Sequence, residues 1–269
     1  MKKIFIIGVT FIGLAISSCS TVPLTGRSRL NLVSDAQVLP MAFQAYGEFL
    51  TENKSTVLPS SNAQAQRVKN VGNRIIASVK SYMNSNNYGD QIKDYQWEVN
   101  VVQSKELNAW CMPGGKIVVY TGLLPVTQDD AGLATVMGHE IAHAIAGHSA
   151  ERMSQQMVAQ GAGAIGNVAL SKNAKSQSIF NTLYGVGTPL AMLSYGRNQE
   201  LEADRLGLIF MAMAGYNPQS ATAFWQRMSA ASQGSQKPPE FLSTHPSDGT
   251  RIARIQNALP EAQKYYKPK

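Results

Sequence analysis

The chain has few cysteines and few charges for its length, and it lacks long apolar runs beyond its first residues. Only two of its 269 residues are cysteine, and charged residues make up 15%. Two cysteines cannot build the disulfide framework that stabilises many small secreted domains. The 24 Lys and Arg outnumber the 17 Asp and Glu, but no dense basic run or nucleic-acid motif accompanies this excess. The scarcities exclude a disulfide scaffold, a nucleic-acid-binding protein and a protein with several spanning helices.

The first 18 residues have the order of a secretory signal. Two lysines precede an apolar stretch, Ile4 to Ile16, that is too short to cross a bilayer comfortably. The letters I-S-S-C, ending at Cys19, then resemble a bacterial lipobox, in which cleavage before the cysteine exposes it to acylation. Acyl chains hold a protein on a membrane by about 0.8 kcal/mol per buried CH₂. We therefore expect a signal peptide at 1–18 and a lipidated Cys19; the alternative is an ordinary secretory signal with an incidental cysteine.

The residues around the two cysteines bear on location and chemistry. In a diderm bacterium, Ser20 after the lipidated cysteine resembles the outer-membrane sorting pattern, which predicts a lipoprotein of the cell envelope facing the periplasm. If Cys19 is acylated, no internal disulfide forms and Cys111 is a lone thiol. A nucleophilic role for Cys111 would need a base and an orienting group that the sequence around it does not supply. A buried small hydrophobe is the favoured interpretation.

The mature chain is long enough for one well-packed domain. We expect a lipidated cysteine and extended tether at 19–33 and a single domain at 34–269. Apolar periodicity and β-branched residues predict two helices and two strands ahead of the central motif, which gives an α+β fold with a small sheet on a mainly helical body. The predicted helices are Ser34–Leu50 and Asn62–Met83, and the predicted strands are Tyr95–Val102 and Lys116–Thr121.

The five residues His139-Glu140-Ile141-Ala142-His143 carry the strongest chemical signal. Positions i and i+4 share one face of a helix, so His139 and His143 can bind one zinc ion, and Glu140 can act as general base on its water. Two histidines suit zinc better than calcium or magnesium, which prefer oxygen ligands. Asp129 and Asp130 offer an N-cap before a largely apolar run, which predicts a buried helix. Buried imidazoles need partners or a metal, so the context favours zinc over two incidental histidines.

A catalytic zinc usually takes three protein ligands and leaves one position for water. The extended pattern H-E-x-x-H-x-x-G-x-x-H fails here, because Ala146 and Ser149 stand where it needs glycine and histidine. His148 follows His143 by five residues, about 140° around a helix, and should point away from the metal. We interpret His148 as an imidazole that supports a ligand or the helix end rather than as a ligand itself.

A second helical run, beginning near Arg197, supplies a better third ligand. Glu200 and Asp204 are spaced i and i+4 and share one face, whereas Glu202 lies about 200° away from Glu200. Glu200 would complete a His-His-Glu site. Asp204 could orient His143 or donate a proton during turnover. The alternative is that these acids are solvated and pair with Arg197 and Arg205.

Four separated motifs together resemble one family of membrane-associated zinc peptidases, which includes the CAAX prenyl proteases, the HtpX heat-shock peptidases and the bacterial outer-membrane quality-control peptidases. The likeness covers most of residues 35–258. Two departures are Gly196, where the family often has serine, and the lack of the several spanning helices of its integral-membrane members. The motifs are H-E-I-A-H, R-N-Q-E-L-E-A-D, S-T-H-P with Arg251, and N-A-W-C-M-P-G-G-K-I running on to Gly122-Leu123-Leu124.

The resemblance implies a gluzincin-type domain with one zinc ion per chain. It assigns His139, His143 and Glu200 as zinc ligands, Glu140 as general base and Asp204 as proton donor. It also suggests a lipid-anchored member that degrades misfolded or stalled envelope proteins, with the outer-membrane assembly machinery as a further partner.

The strand at Lys116–Thr121 has two interpretations. A peptidase must hold its substrate extended, and an exposed sheet edge near the metal does so by backbone pairing that reads no sequence. We favour this edge role, with Asn108 and Ala109 just before the strand and near the cleft. The alternative is a strand of the core.

His245 precedes a helix predicted to be capped near Ser247. The resemblance suggests that its loop approaches the metal. His245 could then be a fourth ligand in a resting state and leave when substrate enters, because the position it fills is the one water needs. Equally, it could only fix the cleft wall. Arg251 is a weaker candidate for stabilising the oxyanion.

Residues 151–195 hold small-residue stretches around a polar loop, and we expect a helical hairpin that covers the cleft or touches lipid. The main rival to a peptidase is a chaperone or assembly factor that binds unfolded chains while its peptidase site is dormant. A metal-stabilised scaffold is a second rival, but it has no use for Glu140 beside the metal.

Overall fold

The computed structural model describes residues 19–159, 178–182, 195–232, 239–245 and 250–268. In these ranges the chain is mainly helical with a small mixed sheet, as the α+β prediction stated. None of the helices in the described part is long and apolar enough to span a bilayer. The helices are α1 Asp35–Glu52, α2 Ala63–Ser85, α3 Leu124–Thr127, α4 Asp130–Ile145, α5 His148–Ala159, α6 Arg197–Met213, α7 Ser220–Ser232, α8 Glu240–Thr244 and α9 Arg251–Gln263, and the strands are β1 Cys19–Thr21, β2 Ser28–Leu30, β3 Glu98–Val102, β4 Ala109–Met112 and β5 Lys116–Tyr120.

The two predicted N-terminal helices are confirmed as α1 and α2, with boundaries within about two residues of those expected. Asn62 caps α2, its side chain accepting hydrogen bonds from the backbone N–H groups of Gln64 and Ala65. The two helices lie on opposite sides of the sheet. Alternation along the strands therefore separates two apolar clusters, one between the sheet and α1 and a larger one between the sheet and α2, α4 and α6.

The three-stranded sheet has the order β3-β5-β4, with β3 parallel and β4 antiparallel to β5. The prediction that Lys116–Thr121 forms the edge is therefore wrong. That segment is β5, the central strand, and all five of its residues are buried. The two edge strands are β3 and β4, and alternation did not mark β4 as a strand because all four of its residues are buried.

Helices α4 and α6 pack against each other at a pair of glycines. A Cβ atom on Gly207 would lie 2.8 Å from the backbone nitrogen of His139, and one on Gly138 would lie 2.8 Å from the carbonyl oxygen of Gly207. Only glycine permits this separation of the two backbones. Because the two backbones are so close at these glycines, side chains of α6 can contact side chains of α4 about one helical turn from the crossing.

The segment predicted as an extended tether contains a β-hairpin. Strands β1 and β2 pair antiparallel from Cys19↔Leu30 to Thr21↔Ser28. Arg29 is buried and donates a hydrogen bond to the carbonyl of Ala146, just after α4. The predicted signal at 1–18 and most of the predicted hairpin at 151–195 lie outside the described residues.

Candidate metal centre

Helix α4 carries the H-E-x-x-H residues, as predicted. The Asp129 side chain accepts a hydrogen bond from the N–H of Gly132 and starts the helix. His139 and His143 lie one turn apart, and their Nε2 atoms are 3.0 Å apart. Both side chains are buried, and burial lowers the pKa of His143 well below its usual value. A neutral imidazole is the form that binds a metal.

Helix α6 brings Glu200 to the same point. Its Oε1 lies 3.3 Å from Nε2 of His143, and its Oε2 lies 3.6 Å from Nε2 of His139. Burial raises the pKa of Glu200, but the nearby His245 and His139 outweigh that effect and lower it well below its usual value. Glu200 is therefore an ionised carboxylate beside the two imidazoles.

His245 joins the cluster from the segment after α8. Its Nδ1 lies 3.1 Å from Nε2 of His139 and 3.0 Å from Oε1 of Glu200. One ligand atom from each of His139, His143, Glu200 and His245 lies within 4.8 Å of the others. The predicted approach of His245 to the site is thus observed.

The donor set fits zinc. The Nδ1 atoms of His139 and His143 face Asp204 and His148, so Nε2 of each ring presents a lone pair to the other at 3.0 Å. Two lone pairs cannot hydrogen bond to each other. A divalent cation shared with Glu200 would satisfy both, and three imidazole nitrogens with one carboxylate oxygen match the tetrahedral preference of zinc.

Glu140 lies beside this cluster, next to the edge of the sheet. It accepts a hydrogen bond from the backbone N–H of Cys111 in β4. Its Oε1 is 3.2 Å from Nε2 of His245 and accepts no hydrogen bond from the described residues. Burial raises the pKa of Glu140, although His245 and His139 partly offset the shift. A carboxylate with a raised pKa is a better base near neutrality.

Asp204 supports a different histidine from the one predicted. Asp204 was expected to orient His143, but its Oδ1 lies 2.9 Å from Nδ1 of His139. The spacing along α6 places Asp204 on the same face as Glu200, but it does not specify which histidine Asp204 contacts. That depends on how α4 and α6 cross. Burial raises the pKa of Asp204, but Arg251 and His139 outweigh it and the pKa is lowered.

Arg251 anchors Asp204. Its Nε and Nη2 donate to Asp204 at 2.9 and 2.7 Å, and its guanidinium lies 3.4 Å from the ring centroid of Trp225. It also donates to the carbonyl of His245. Its Nη2 also lies 3.2 Å from Oε2 of Glu200, so the guanidinium contacts two carboxylates of the site, and its suggested oxyanion role stays a prediction.

Three further predicted residues have defined positions. Asn108 is buried just before the edge strand, and Ala109 is the first residue of β4. The Oδ1 atom of Asn108 has no hydrogen-bond partner in the described residues. Cys111 is a free, buried thiol, and burial raises its pKa well above the usual value. This favours the packing interpretation of Cys111 over a nucleophile.

His148 supports the ligand His143, which is one of the two roles expected for it, but the contacts behind His148 were not predicted. His148 begins α5 and places its Nδ1 2.8 Å from Nδ1 of His143. Its Nε2 contacts Glu202, and Glu202 in turn accepts a hydrogen bond from Arg27 of the hairpin. The prediction placed Glu202 on the opposite side of α6 from Glu200, but it did not include the contact between Glu202 and His148. No spacing rule connects Arg27 with residues more than a hundred positions away.

The geometry defines a class of protein. Two histidines from an H-E-x-x-H helix and a glutamate from a second helix form the ligand set of a gluzincin zinc metallopeptidase.

Comparison with known proteins narrows this class. Residues 62–259 match the family described as peptidase family M48. The chain is 36% identical over 90% of its length to the mitochondrial metalloendopeptidase OMA1 of Schizosaccharomyces pombe, covering 67% of that protein. It is 30% identical over 96% of its length to human OMA1, covering 49% of it. It is 32% identical over 58% of its length to the beta-barrel assembly-enhancing protease of Escherichia coli, covering 33% of it.

The chain belongs to peptidase family M48. Its catalytic centre is that of a zinc metalloendopeptidase, with the His-His-Glu ligand set intact. The chain spans between about a third and two thirds of the length of these three relatives.

Proposed function

We propose that the chain is a zinc-dependent endopeptidase that cuts extended segments of misfolded or stalled envelope proteins. The observation that carries the proposal is Glu140. This buried carboxylate has a raised pKa and stands between the four-ligand cluster and the sheet edge. A structural metal site would have no use for such a base.

The reaction follows from the positions of the side chains. Zinc, when bound by His139, His143 and Glu200, would polarise the substrate carbonyl and acidify water. Glu140 takes a proton from the attacking water and can return it to the leaving amine. Asp204 was the other expected proton donor, but its two oxygens are held by Arg251 and His139 and its pKa is lowered. We therefore assign proton return to Glu140 and positioning of His139 to Asp204.

Substrate would be held along β4. This strand is at the end of the sheet, and its Cys111 N–H contacts the base. A chain added at this edge pairs through its backbone, so many sequences could be accepted. Asn108 and Ala109 would contact the substrate where it reaches the metal, and the unpartnered Oδ1 of Asn108 supports this role.

For location, we propose a lipid-anchored protein of the bacterial outer membrane that faces the periplasm. The support is the predicted signal at 1–18, the lipobox ending at Cys19 and the serine that follows it. One relative is named a beta-barrel assembly-enhancing protease, and others are named mitochondrial metalloendopeptidases. The first name concerns the assembly of beta-barrel proteins, which supports contact with an assembly machinery as a role for this chain.

The test is digestion of casein by the chain from Ser20 onward, compared with Glu140→Gln. We expect the substitution to reduce the rate by about 10²- to 10⁴-fold, since it removes the general base. Both proteins should hold about one zinc per chain by elemental analysis, because Glu140 is not a ligand. Equal digestion by both proteins would contradict the assignment of Glu140.

The second candidate function is a chaperone or assembly factor with a self-inhibited site. The position of His245 favours it, because a fourth protein ligand would occupy the place that water needs. The two functions separate in an aggregation assay with an unfolded client protein. A chaperone keeps its protection after Glu140→Gln, whereas protection that depends on peptide cleavage is lost with the base.

A further inference from the structure

We propose that His148, Glu202 and Arg27 act as positioning residues that fix the zinc-binding orientation of His143, and that the N-terminal hairpin is thereby part of the metal site. We call these three residues the His148 relay. The inference rests on zinc binding by His143, and its test measures zinc affinity instead of peptidase activity.

The relay is a continuous set of short contacts. Nδ1 of His148 lies 2.8 Å from Nδ1 of His143, and Nε2 of His148 lies 3.0 Å from Oε2 of Glu202. Arg27 donates from Nε to the same carboxylate oxygen at 2.7 Å. His143, His148 and Glu202 are all buried. Water therefore has little access to replace any of these contacts.

The contacts determine where each proton lies. His143 directs Nε2 at the ligand cluster, so its one proton is on Nδ1 and is donated to His148. Nδ1 of His148 must then be an acceptor, and its proton lies on Nε2, from which it is donated to Glu202. The opposite tautomer of His148 would set two N–H groups against each other at 2.8 Å. Each bond thus requires the next one.

The hairpin holds the far end of the relay. Thr25 donates to the other oxygen of Glu202, and Arg27 uses its remaining nitrogens for Glu151 at 2.7 and 2.9 Å. Glu151 also accepts from Gln199, the neighbour of the ligand Glu200. Arg27 therefore lies between two buried carboxylates from α5 and α6. Its position depends on the hairpin being docked.

The other zinc-binding histidine, His139, is supported in a similar way. His139 donates from Nδ1 to Asp204, and Arg251 holds that carboxylate with two hydrogen bonds. Each zinc-binding histidine is thus backed by a carboxylate and an arginine, with an imidazole inserted on the His143 side. Such outer contacts typically change metal affinity by about 10- to 100-fold when they are removed.

The test compares two amides at position 148. The amide of asparagine lies near the Nδ1 position and can accept the proton of His143, whereas the longer glutamine places its amide near Nε2 and leaves that proton without an acceptor. With a chromophoric chelator as competitor, we expect His148→Asn, which keeps an acceptor for His143 but loses the contact with Glu202, to raise the zinc Kd only several-fold. We expect His148→Gln to raise the zinc Kd by about 10- to 100-fold.

A second pair of variants tests the hairpin. Arg27→Gln should raise the zinc Kd several-fold, whereas Arg205→Gln should leave it unchanged. Arg205 is the matched control, because it also forms a bidentate pair, with Glu261, and among the described residues it donates no hydrogen bond to the metal site or to Glu202. Visible bands of the cobalt-substituted proteins should shift for His148→Gln and Arg27→Gln and should not shift for Arg205→Gln.

Equal zinc affinity for His148→Asn and His148→Gln, with unshifted cobalt bands, would overturn the relay. Equal affinity for Arg27→Gln and Arg205→Gln would overturn the part assigned to the hairpin. A wild type that binds zinc with the expected variant pattern but cleaves no protein would refute the proposed function and leave the relay standing.

Discussion

All four histidines of the chain lie in one buried site, and each has a different role set by its neighbours. His139 and His143 face each other across the ligand cluster, His148 stands behind His143, and His245 closes the cluster from a separate segment. Burial lowers the pKa of His143, whereas the carboxylates Glu140 and Glu200 outweigh burial and raise that of His245. The residue type is the same in each case, and the surroundings assign the chemistry.

His245 yields a prediction at this scale. His245→Ala should raise the rate of casein digestion several-fold, because it opens the position that water needs next to the three remaining ligands. Zinc content should stay near one per chain, since His139, His143 and Glu200 are retained. The double variant with Glu140→Gln should be inactive, which assigns any gain to this site. Unchanged or lower activity in the single variant would favour the interpretation that His245 only fixes the cleft wall.

Sequence periodicity assigned the ligands but not their supports. The i, i+4 spacing put His139 with His143 and Glu200 with Asp204, because a helix fixes these distances locally. Which histidine Asp204 meets depends on how α4 and α6 cross, and the expected partner His143 proved wrong. Arg251, a candidate for stabilising the oxyanion, is bound to Asp204 from a third helix.

At the scale of the elements, the crossing of α4 and α6 governs the geometry of the site. The helices approach through Gly138 and Gly207, next to the ligand His139. The glycines could be read from the sequence, but their function could not, because a glycine in a helix gives no indication of what packs against it. Alternation did not mark β4 as a strand for a related reason: it is buried on both faces.

Gly207→Ala tests the crossing. A methyl group at this position would contact the backbone of His139 at 2.8 Å, and backbone cannot move aside as a flexible side chain can. We expect a loss of about 1–3 kcal/mol in the free energy of unfolding, together with weaker zinc binding. Urea denaturation of the zinc-free and zinc-loaded proteins would measure both effects.

Gly47→Ala is the matched control for that substitution. Gly47 is an exposed glycine inside α1, and a Cβ there would meet nothing within 4 Å. It should leave zinc binding unchanged and add about 0.5–1 kcal/mol of stability through helix propensity. Equal effects of the two substitutions would show that the close crossing does not constrain the site.

For the whole molecule, the main result is that the N-terminal hairpin docks on the domain through charges. Arg27 bridges Glu151 on α5 and Glu202 on α6, and Arg29 reaches the end of α4. An extended tether would need none of these contacts. The anchor predicted at Cys19 would therefore be connected to the domain through an ordered element beside the metal centre.

Docking of the hairpin predicts how stability depends on pH. Burial raises the pKa of Glu151, but hydrogen bonds from Arg27 and Gln199 outweigh it and the folded-state pKa is lowered from 4.5. A lowered folded-state pKa gives stability that is present above pH 4.5 and is lost as the pH falls further. Glu151→Gln should therefore lower the free energy of unfolding by about 1.5–3 kcal/mol at pH 6. The difference from wild type should shrink towards pH 3.

Urea denaturation of the zinc-free proteins at both pH values would measure this difference without interference from metal release. Glu261→Gln serves as the control. Glu261 pairs with Arg205 but is partly exposed, so its loss should cost at most about 1 kcal/mol. A difference for Glu151→Gln that is constant from pH 6 to pH 3 would contradict the assigned ionisation.

The local features follow from the amino-acid sequence alone: the H-E-x-x-H helix with its cap, the shared face of Glu200 and Asp204, the two helices before the sheet, and the family. These depend on distances of a few residues, which helical and strand geometry fix in advance. Other features are set by the packing of the folded chain. It places β5 at the centre of the sheet and Asp204 against His139. It also brings Arg27 and His148 to positions where they support His143. Such contacts join residues far apart in the chain, and their partners are chosen by packing, which no local period records.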